Sequence, residues 1–261
     1  ARAVATGLQA DVVTLALAND IDEIVNTGQI DKNWQKEFPN NSAPYTSTIV
    51  FLVRKGNPKQ IKDWNDLTRQ GVEIITPNPK TGGAPRWIYL SAWGYALKQP
   101  GGNDAKAKEL VRKLYGNVKV LDSGARGSLT TFAERGIGDV LLSWENEALQ
   151  AVKNYPGQYQ IVIPSVSIEA DPSVAVVEAI AKHRGTEAIA EAYLKDLYTP
   201  EAQRLAAEYG FRPTNPEVYK EFANKYPMPK RMVTIRDFGG WDEAYKRFFE
   251  DGALFDTIRE G

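Results

Sequence analysis

The sequence contains no cysteine and only one histidine among its 261 residues. The lack of cysteine excludes a disulfide framework and thiolate chemistry. Zinc and copper sites rely on cysteine and histidine ligands, so we expect no bound metal, and we expect no other cofactor. The one histidine, His183, stands in a charged segment at a predicted helix end, where we expect it to be solvated.

The chain also lacks an excess of charge and any long apolar run. It has 32 basic and 33 acidic residues, so no broad electrostatic field would attract nucleic acid or an anionic membrane. No apolar run approaches the roughly 20 residues that span a bilayer. Its 43% hydrophobic and 25% charged residues are typical of a globular protein with one large or two modest domains.

The beginning of the sequence lacks an initiator methionine and a signal-peptide pattern. The first residues, from Ala1 to Ala10, are typical of the inside of a helix, and no capping residue precedes them. We therefore expect the chain to lack an N-terminal piece.

Apolar runs of strand length alternate with helical patterns along most of the chain. This alternation predicts an α/β fold with a parallel sheet, whose ligands bind beyond the carboxyl ends of the strands. The predicted strands are residues 11–17, 48–54, 72–76, 117–121, 140–144, 159–164 and 173–177.

Two of these strands run into helices through turns of small residues. One turn is Asp122-Ser123-Gly124-Ala125-Arg126-Gly127-Ser128, and the other centres on Thr81-Gly82-Gly83-Ala84. The first N–H groups of a helix have no partner within it and carry the positive end of its dipole, so such turns can bind anions. The first turn alone is more typical of an ordinary strand–helix connection with Ser or Gly near the N-cap, and in the second turn the Thr81 hydroxyl would cap the helix.

Two such turns in one chain favour a single anion site. A nucleotide-binding P-loop is excluded, because its glycine–lysine spacing is absent and Lys80 precedes the glycines. Trp144 ends a third predicted strand, and its indole nitrogen can only donate a hydrogen bond. From the residues alone, Trp144 is more typical of a core tryptophan than of a ligand-binding one.

The motifs PYTSTIVFLVRKGNP (44–58), ITPNPK (75–80), LDSGARGS (121–128), GIGDV (136–140) and WENEA (144–148) resemble those of the periplasmic sulfate and thiosulfate binding proteins. The resemblance extends through nearly the whole chain to FGGW (238–241). It implies a two-lobed periplasmic-binding-protein fold, each lobe a mostly parallel sheet flanked by helices, with the ligand in the cleft between the lobes. One lobe would comprise residues 1–47 and 170–261, without its first strand and helix, and the other residues 48–169.

The resemblance also implies the binding residues. The backbone N–H groups of Gly82, Gly83, Ala84 and Ala125 and the indole N–H of Trp144 would bind sulfate. The family usually has a hydroxyl residue where this chain has Gly82, and Thr81 next to it is a possible substitute. Two further family contacts would lie before Ala1. A second layer around the anion would contain Thr81, Ser123, Arg126 and Ser128.

As a member of this family the protein would be a monomeric periplasmic receptor, not an enzyme. It would deliver sulfate to the membrane permease subunits of an ATP-binding-cassette importer. Thiosulfate, molybdate or phosphate as the ligand, or a truncated form with impaired binding, remain alternatives. A hydrolase would need a base such as His183, which has no nucleophile motif near it, and Asp122 and Asp139 are expected to be surface or capping carboxylates. A regulatory domain would need a helix-turn-helix, which the sequence does not show.

Overall fold

The fold comes from a computed structural model that describes residues 1–259. The predicted alternation of strands and helices is confirmed, and each predicted strand is present with bounds shifted by at most a few residues. The strands are β1 (Val12–Leu15), β2 (Tyr45–Thr46), β3 (Ile49–Arg54), β4 (Ile74–Pro77), β5 (Val118–Asp122), β6 (Val140–Trp144), β7 (Tyr159–Val162), β8 (Val166–Ile168), β9 (Ser173–Val176), β10 (Arg212–Pro213) and β11 (Arg231–Val233).

The helices vary from single turns to the long α4. They are α1 (Arg2–Ala5), α2 (Ala18–Val25), α3 (Pro39–Ser42), α4 (Gly83–Lys98), α5 (Asp104–Gly116), α6 (Ala125–Leu129), α7 (Glu145–Asn154), α8 (Glu178–Arg184), α9 (Glu187–Asp196), α10 (Pro200–Glu208), α11 (Pro216–Glu221), α12 (Trp241–Ala244) and α13 (Leu254–Arg259). Helices α6 and α12 continue as π-helical turns over Thr130–Glu134 and Tyr245–Phe249.

The chain divides into two compact units. Unit 1 consists of Ala1–Ser47 and Ala170–Pro227, and unit 2 consists of Thr48–Glu169 together with the described residues from Met228 onward. The division into lobes that the family resemblance implies differs from this one in one respect. It places residues 228–261 in the lobe of residues 1–47. The aromatic side chains of this tail explain the correction: Phe248 and Phe249 pack against Tyr89 of α4, with ring centroids 5.5 and 5.3 Å apart.

Unit 2 is built on a five-stranded sheet with the order β5-β4-β6-β3-β7. Strands β5, β4 and β6 are parallel neighbours, whereas β3 is antiparallel to both β6 and β7. The strands are rich in valine, isoleucine and leucine, and β3 and β4 are buried almost throughout. The sheet is therefore mixed, with two parallel and two antiparallel pairings, and its three parallel neighbours have their carboxyl ends at one edge.

Helix α4 is the central helix of unit 2. Eleven of its 16 residues are buried, because it lies between α5 on one side and β8 on another. Apolar residues occupy nearly its whole circumference, which is typical of an internal helix. Its buried residues begin at Pro85, two positions after the first helical residue, Gly83.

Unit 1 contains antiparallel strand pairs. Strand β1 pairs with β9, and β2 pairs with β10, both antiparallel. The expectation of a mostly parallel sheet in this lobe is therefore wrong for the residues that the structure describes. An apolar run such as Val12–Leu15 indicates burial but does not encode the direction of its neighbour, which is why the sequence could not decide this.

The carboxylate of Glu37 in unit 1 lies next to other acids. Burial, followed by a hydrogen bond to Glu178 and repulsion from Glu178, Asp31 and Glu191, raises the pKa of Glu37 to about 7. The folded state then binds a proton that the unfolded chain releases above its ordinary pKa of 4.5. This contribution to stability is present below pH 4.5 and is lost as the pH rises through 7.

We therefore expect unfolding by urea to require less denaturant at pH 8 than at pH 5.5, and Glu37→Gln to reduce this difference. The amide cannot ionise, so it mimics the protonated acid at every pH. Glu37 is exposed, and solvent screening will keep the effect modest. Parallel pH profiles for the two proteins would contradict the assignment.

Candidate anion site

Asn78 closes the turn between β4 and α4 with two hydrogen bonds inside the turn. The Asn78 carboxamide oxygen accepts the N–H of Lys80 at 3.0 Å, and the Asn78 carbonyl accepts the N–H of Thr81 at 3.0 Å. This local closure is typical of asparagine after a strand. Gly82 then has extended backbone (φ −167°, ψ 172°) and precedes the first helical residue, Gly83.

The turn between β5 and α6 repeats this geometry. Gly124 is extended (φ −164°, ψ 170°) and precedes Ala125, the first residue of α6. A Cβ on Gly127 would meet the Cβ of Asp122 at an ordinary 3.5 Å, so the first turn of α6 lies close to the end of β5. Both turns therefore present the start of a helix at the end of a parallel strand.

The two turns are joined directly to each other. The Thr81 hydroxyl donates to the carbonyl oxygen of Ser123 at 2.7 Å, and the N–H of Asn78 donates to the carbonyl oxygen of Asp122 at 2.8 Å. Thr81 was expected to cap α4, but its hydroxyl does not do so. The Thr81 hydroxyl also lies 3.1 Å from the Asn78 carbonyl oxygen of its own turn, and the exposed Ser123 contributes its carbonyl oxygen to the link between the turns.

Trp144 lies at the same edge of the sheet. It is the last residue of β6, the other parallel neighbour of β4, and Ile75 of β4 is paired with Leu141 of β6. Its side chain is half-buried, and its indole N–H donates to no residue that the structure describes. The structure thus places all three predicted donor groups at adjacent strand ends.

The donors in these turns are not used by the protein itself. Within residues 1–258 no side chain caps α4 or α6, and the N–H groups of Gly83, Ala84 and Ala125 have no hydrogen-bond acceptor. All three residues are half-buried, so water has limited access to these donors. Partly buried N–H groups without acceptors favour an external anion.

The nearby cations are already paired. Arg126 contacts Glu147, with its Nη2 atom 3.4 Å from Oε1, although the guanidinium is largely exposed. Lys80 makes an ion pair with Asp256 at 2.7 Å, and the Nε atom of Arg86 donates to the Pro79 carbonyl at 3.2 Å. The chemistry of the strand ends is therefore dominated by uncharged donors.

Several polar side chains lie just behind the strand ends. The hydroxyl groups of Ser128 in α6 and Thr76 in β4 are fully buried and have no hydrogen-bond partner among the described residues. Asp122 accepts a hydrogen bond from the Thr131 hydroxyl at 3.0 Å through one oxygen. Ser128 is thus placed beneath the turn, and its role toward an anion stays a prediction.

The structure offers little support for catalysis or metal binding at this edge. The sequence has no histidine other than His183, which is exposed in the last turn of α8 in unit 1, so unit 2 has no imidazole base. The Asp139 carboxylate accepts the N–H of Glu73 at 2.8 Å, so it is used within the fold. Among residues 1–259 no group of three or more potential ligands could hold a metal ion.

None of the helices described here combines the length and the apolar character that crossing a bilayer requires.

The sequence did not predict the contacts between the β4–α4 turn and residues near the end of the chain. Lys80 contacts Phe249, Glu250 and Asp256, some 170 positions later in the chain. Nothing local distinguishes Lys80 from a solvated lysine.

The chain is similar in sequence to a known family and to several known proteins. A family model described as bacterial extracellular solute-binding protein matches residues 1–212. A "Sulfate-binding protein" of Escherichia coli (strain K12) is 57% identical over 259 residues, covering 99% of this chain and 79% of that protein. A "Thiosulfate-binding protein" of Pseudomonas aeruginosa is 49% identical over 260 residues, covering 99% and 78%.

Solved structures show the same fold. The sulfate-binding protein SubI from Mycobacterium tuberculosis H37Rv has a TM-score of 0.83 and 34% identity, covering 95% of this chain and 84% of that one. A periplasmic thiamin binding protein, at 15% identity, has a TM-score of 0.72 over 99% of this chain and 82% of that one. The second comparison shows a common fold only.

Proposed function

Because the chain belongs to the family of bacterial extracellular solute-binding proteins, we propose that it binds sulfate and delivers it to an ATP-binding-cassette importer. The family resemblance noted in the sequence is thereby confirmed. The observation that carries the proposal is the meeting of two uncapped helix starts and one free indole N–H at adjacent strand ends. In this account Gly82, Gly83, Ala84, Ala125 and Trp144 supply the donors.

Uncharged donors can hold a dianion when several act together. A hydrogen bond to a charged group contributes about 1.5–3 kcal/mol, so several together can offset an association cost of roughly 4–15 kcal/mol. The helix dipoles behind the N–H groups add to this attraction. Because Lys80 and Arg126 are paired with carboxylates, binding here does not depend on a free cation.

A site of donors also discriminates between oxyanions. Sulfate carries no proton at pH 7, so it needs only donors. Phosphate keeps a proton there, and that proton would lack an acceptor, at a cost of about 1–3 kcal/mol. We therefore expect sulfate to bind about tenfold or more tightly than phosphate.

Thiosulfate is the second candidate ligand. The 49% identity to the thiosulfate-binding protein of P. aeruginosa favours it as a competing substrate. Thiosulfate replaces one sulfate oxygen by a larger sulfur, which accepts hydrogen bonds weakly. We place sulfate first because the 57% identical relative is a sulfate-binding protein.

Isothermal titration of the 261-residue chain with sulfate, thiosulfate, molybdate and phosphate tests the proposal. We expect one sulfate per chain, no covalent change in sulfate or in sulfate esters, and weaker binding of phosphate. Preference for phosphate or molybdate, or turnover of a sulfate ester, would overturn it. As a receptor the protein would act as a monomer outside the cytoplasm, together with the importer's membrane permease subunits.

Gly82 gives a prediction about affinity. A Cβ at this position would meet only the Pro85 side chain, at an ordinary 3.7 Å, and the backbone is extended. We expect Gly82→Ser to place a hydroxyl donor beside the anion and to raise sulfate affinity by about tenfold. Gly82→Ala is the matched control, since it adds the same Cβ without the hydroxyl.

The same titrations separate the possible outcomes. An affinity for Gly82→Ser equal to that of Gly82→Ala would mean that the hydroxyl does not reach the anion. A lower affinity would mean that the serine oxygen instead accepts the N–H of Ala84 and competes with sulfate for it.

A further inference from the structure

The side chain of Lys80 leaves the β4–α4 turn and contacts a segment near the end of the chain (residues 245–256). Its ammonium group donates to the carbonyl oxygens of Phe249 and Glu250 at 3.0 and 3.1 Å. These oxygens close the π-helical turn that follows α12, where a cation is favourable. Lys80 therefore contacts main-chain groups whose positions are fixed by a helix.

Two carboxylates complete the contact. The ammonium group lies 2.7 Å from Asp256 and 3.2 Å from Asp251. Asp251 is fully exposed and contributes little, whereas Asp256 is 29% exposed and also accepts the N–H of Gly252 at 2.8 Å. Burial lowers the pKa of Lys80, but the hydrogen bonds to Asp256 and Asp251 outweigh it, so the pKa is raised and the ammonium stays charged.

A second side chain fastens the same turn. The Nε atom of Arg86 donates to the Pro79 carbonyl at 3.2 Å. Its guanidinium carbon lies 4.9 Å from the ring centroid of Tyr245 and 5.9 Å from that of Phe249. Two consecutive residues of the turn, Pro79 and Lys80, are thus held through side chains that reach the 245–256 segment.

The segment itself is anchored to the core of unit 2. Phe249 packs against Tyr89 of α4 with ring centroids 5.3 Å apart, and Phe255 packs against Tyr115 of α5 at 5.3 Å. All four aromatic residues are at least nine-tenths buried. The turn is consequently tied to the same helix whose first N–H groups face the strand ends.

We propose that Lys80 is a positioning residue for anion binding, which fixes the β4–α4 turn against the 245–256 segment before the anion arrives. The proposal rests on the proposed function. Lys80 acts through Asp256 and the two carbonyl groups, not by attracting the anion with its charge. A turn fixed in advance loses less conformational freedom on binding, which increases affinity.

Two variants distinguish a positioning role of Lys80 from direct attraction of the anion by its charge. Lys80→Met removes both the fastening and the positive charge, so either role predicts weaker sulfate binding. Asp256→Asn weakens the fastening but makes the neighbourhood more positive. If Lys80 positions the turn, Asp256→Asn weakens sulfate binding by about fivefold; if Lys80 attracts the anion, the same change strengthens binding.

Kinetics and hydrogen exchange provide readouts beyond affinity. We expect both variants to release sulfate faster in stopped-flow tryptophan fluorescence, with association rates and their salt dependence nearly unchanged. Amide exchange over residues 78–86 in the sulfate-free protein should also become faster. Both measurements are made on the whole chain at a temperature where thermal unfolding shows each variant to be folded.

Lys98→Met is the matched control. Lys98 is the last residue of α4, at the opposite end of this helix from the β4–α4 turn. Its ammonium group lies 3.7 Å from Asp237. We expect its affinity to equal that of the unaltered chain. Tighter binding by Asp256→Asn, or unchanged binding by Lys80→Met, overturns the proposal. Absence of sulfate binding by the unaltered chain would instead overturn the proposed function, and this inference with it.

Discussion

Replacing Ala125 with proline is expected to weaken sulfate binding by about 10- to 100-fold, because it deletes one hydrogen bond to a charged ligand. Proline has no N–H, and the first helical position tolerates it. The residue before it, Gly124, is already extended, as a residue preceding proline must be. The change therefore removes a donor while the helix start keeps its shape.

Ala125→Gly is the control for this variant, since it keeps the N–H and removes only a methyl group. Titration calorimetry gives the two affinities, and thermal unfolding shows whether both proteins remain folded. An affinity of Ala125→Pro equal to that of Ala125→Gly would show that this N–H does not bind the anion.

Trp144→Phe is expected to lower sulfate affinity by a similar factor of about 10–100. Phenylalanine keeps an aromatic ring at the end of β6 but has no donor. The half-buried indole has no described acceptor in the protein, so the variant loses a bond to the ligand and not one within the fold. Tryptophan fluorescence on adding sulfate should also change less than in the unaltered chain.

Trp93→Phe provides the comparison for Trp144. The Trp93 indole nitrogen is likewise without a partner among the described residues, but it is buried in the aromatic core of unit 2. We expect this variant to lose some stability and no sulfate affinity. Equal affinities for the two variants would remove Trp144 from the site.

The arrangement of the strand ends could be predicted from the sequence. Apolar runs such as residues 72–76 and 117–121 indicate buried strands, and small residues after them indicate turns into helices. Parallel strands bring such turns to one edge, where the structure joins them through Thr81 and Ser123. That these groups bind sulfate stays a prediction.

Long-range packing could not be predicted in the same way. The apolar strand β3 gave no sign that it is antiparallel to β6, since direction depends on the neighbours and not on the run itself. The tail after Met228 was assigned to the wrong lobe through the family resemblance, because the sequence does not show which distant core its aromatic side chains pack against. The contact of Lys80 with Asp256 is invisible locally for the same reason.

The most direct test of the account is a crystal structure of the protein with sulfate bound at a concentration about tenfold above the measured Kd. We predict one sulfate whose oxygens lie about 2.7–3.1 Å from the backbone nitrogens of Gly83, Ala84 and Ala125 and from the indole nitrogen of Trp144, with Lys80 still on Asp256. A sulfate held by a lysine or arginine side chain, or bound away from these strand ends, would contradict it.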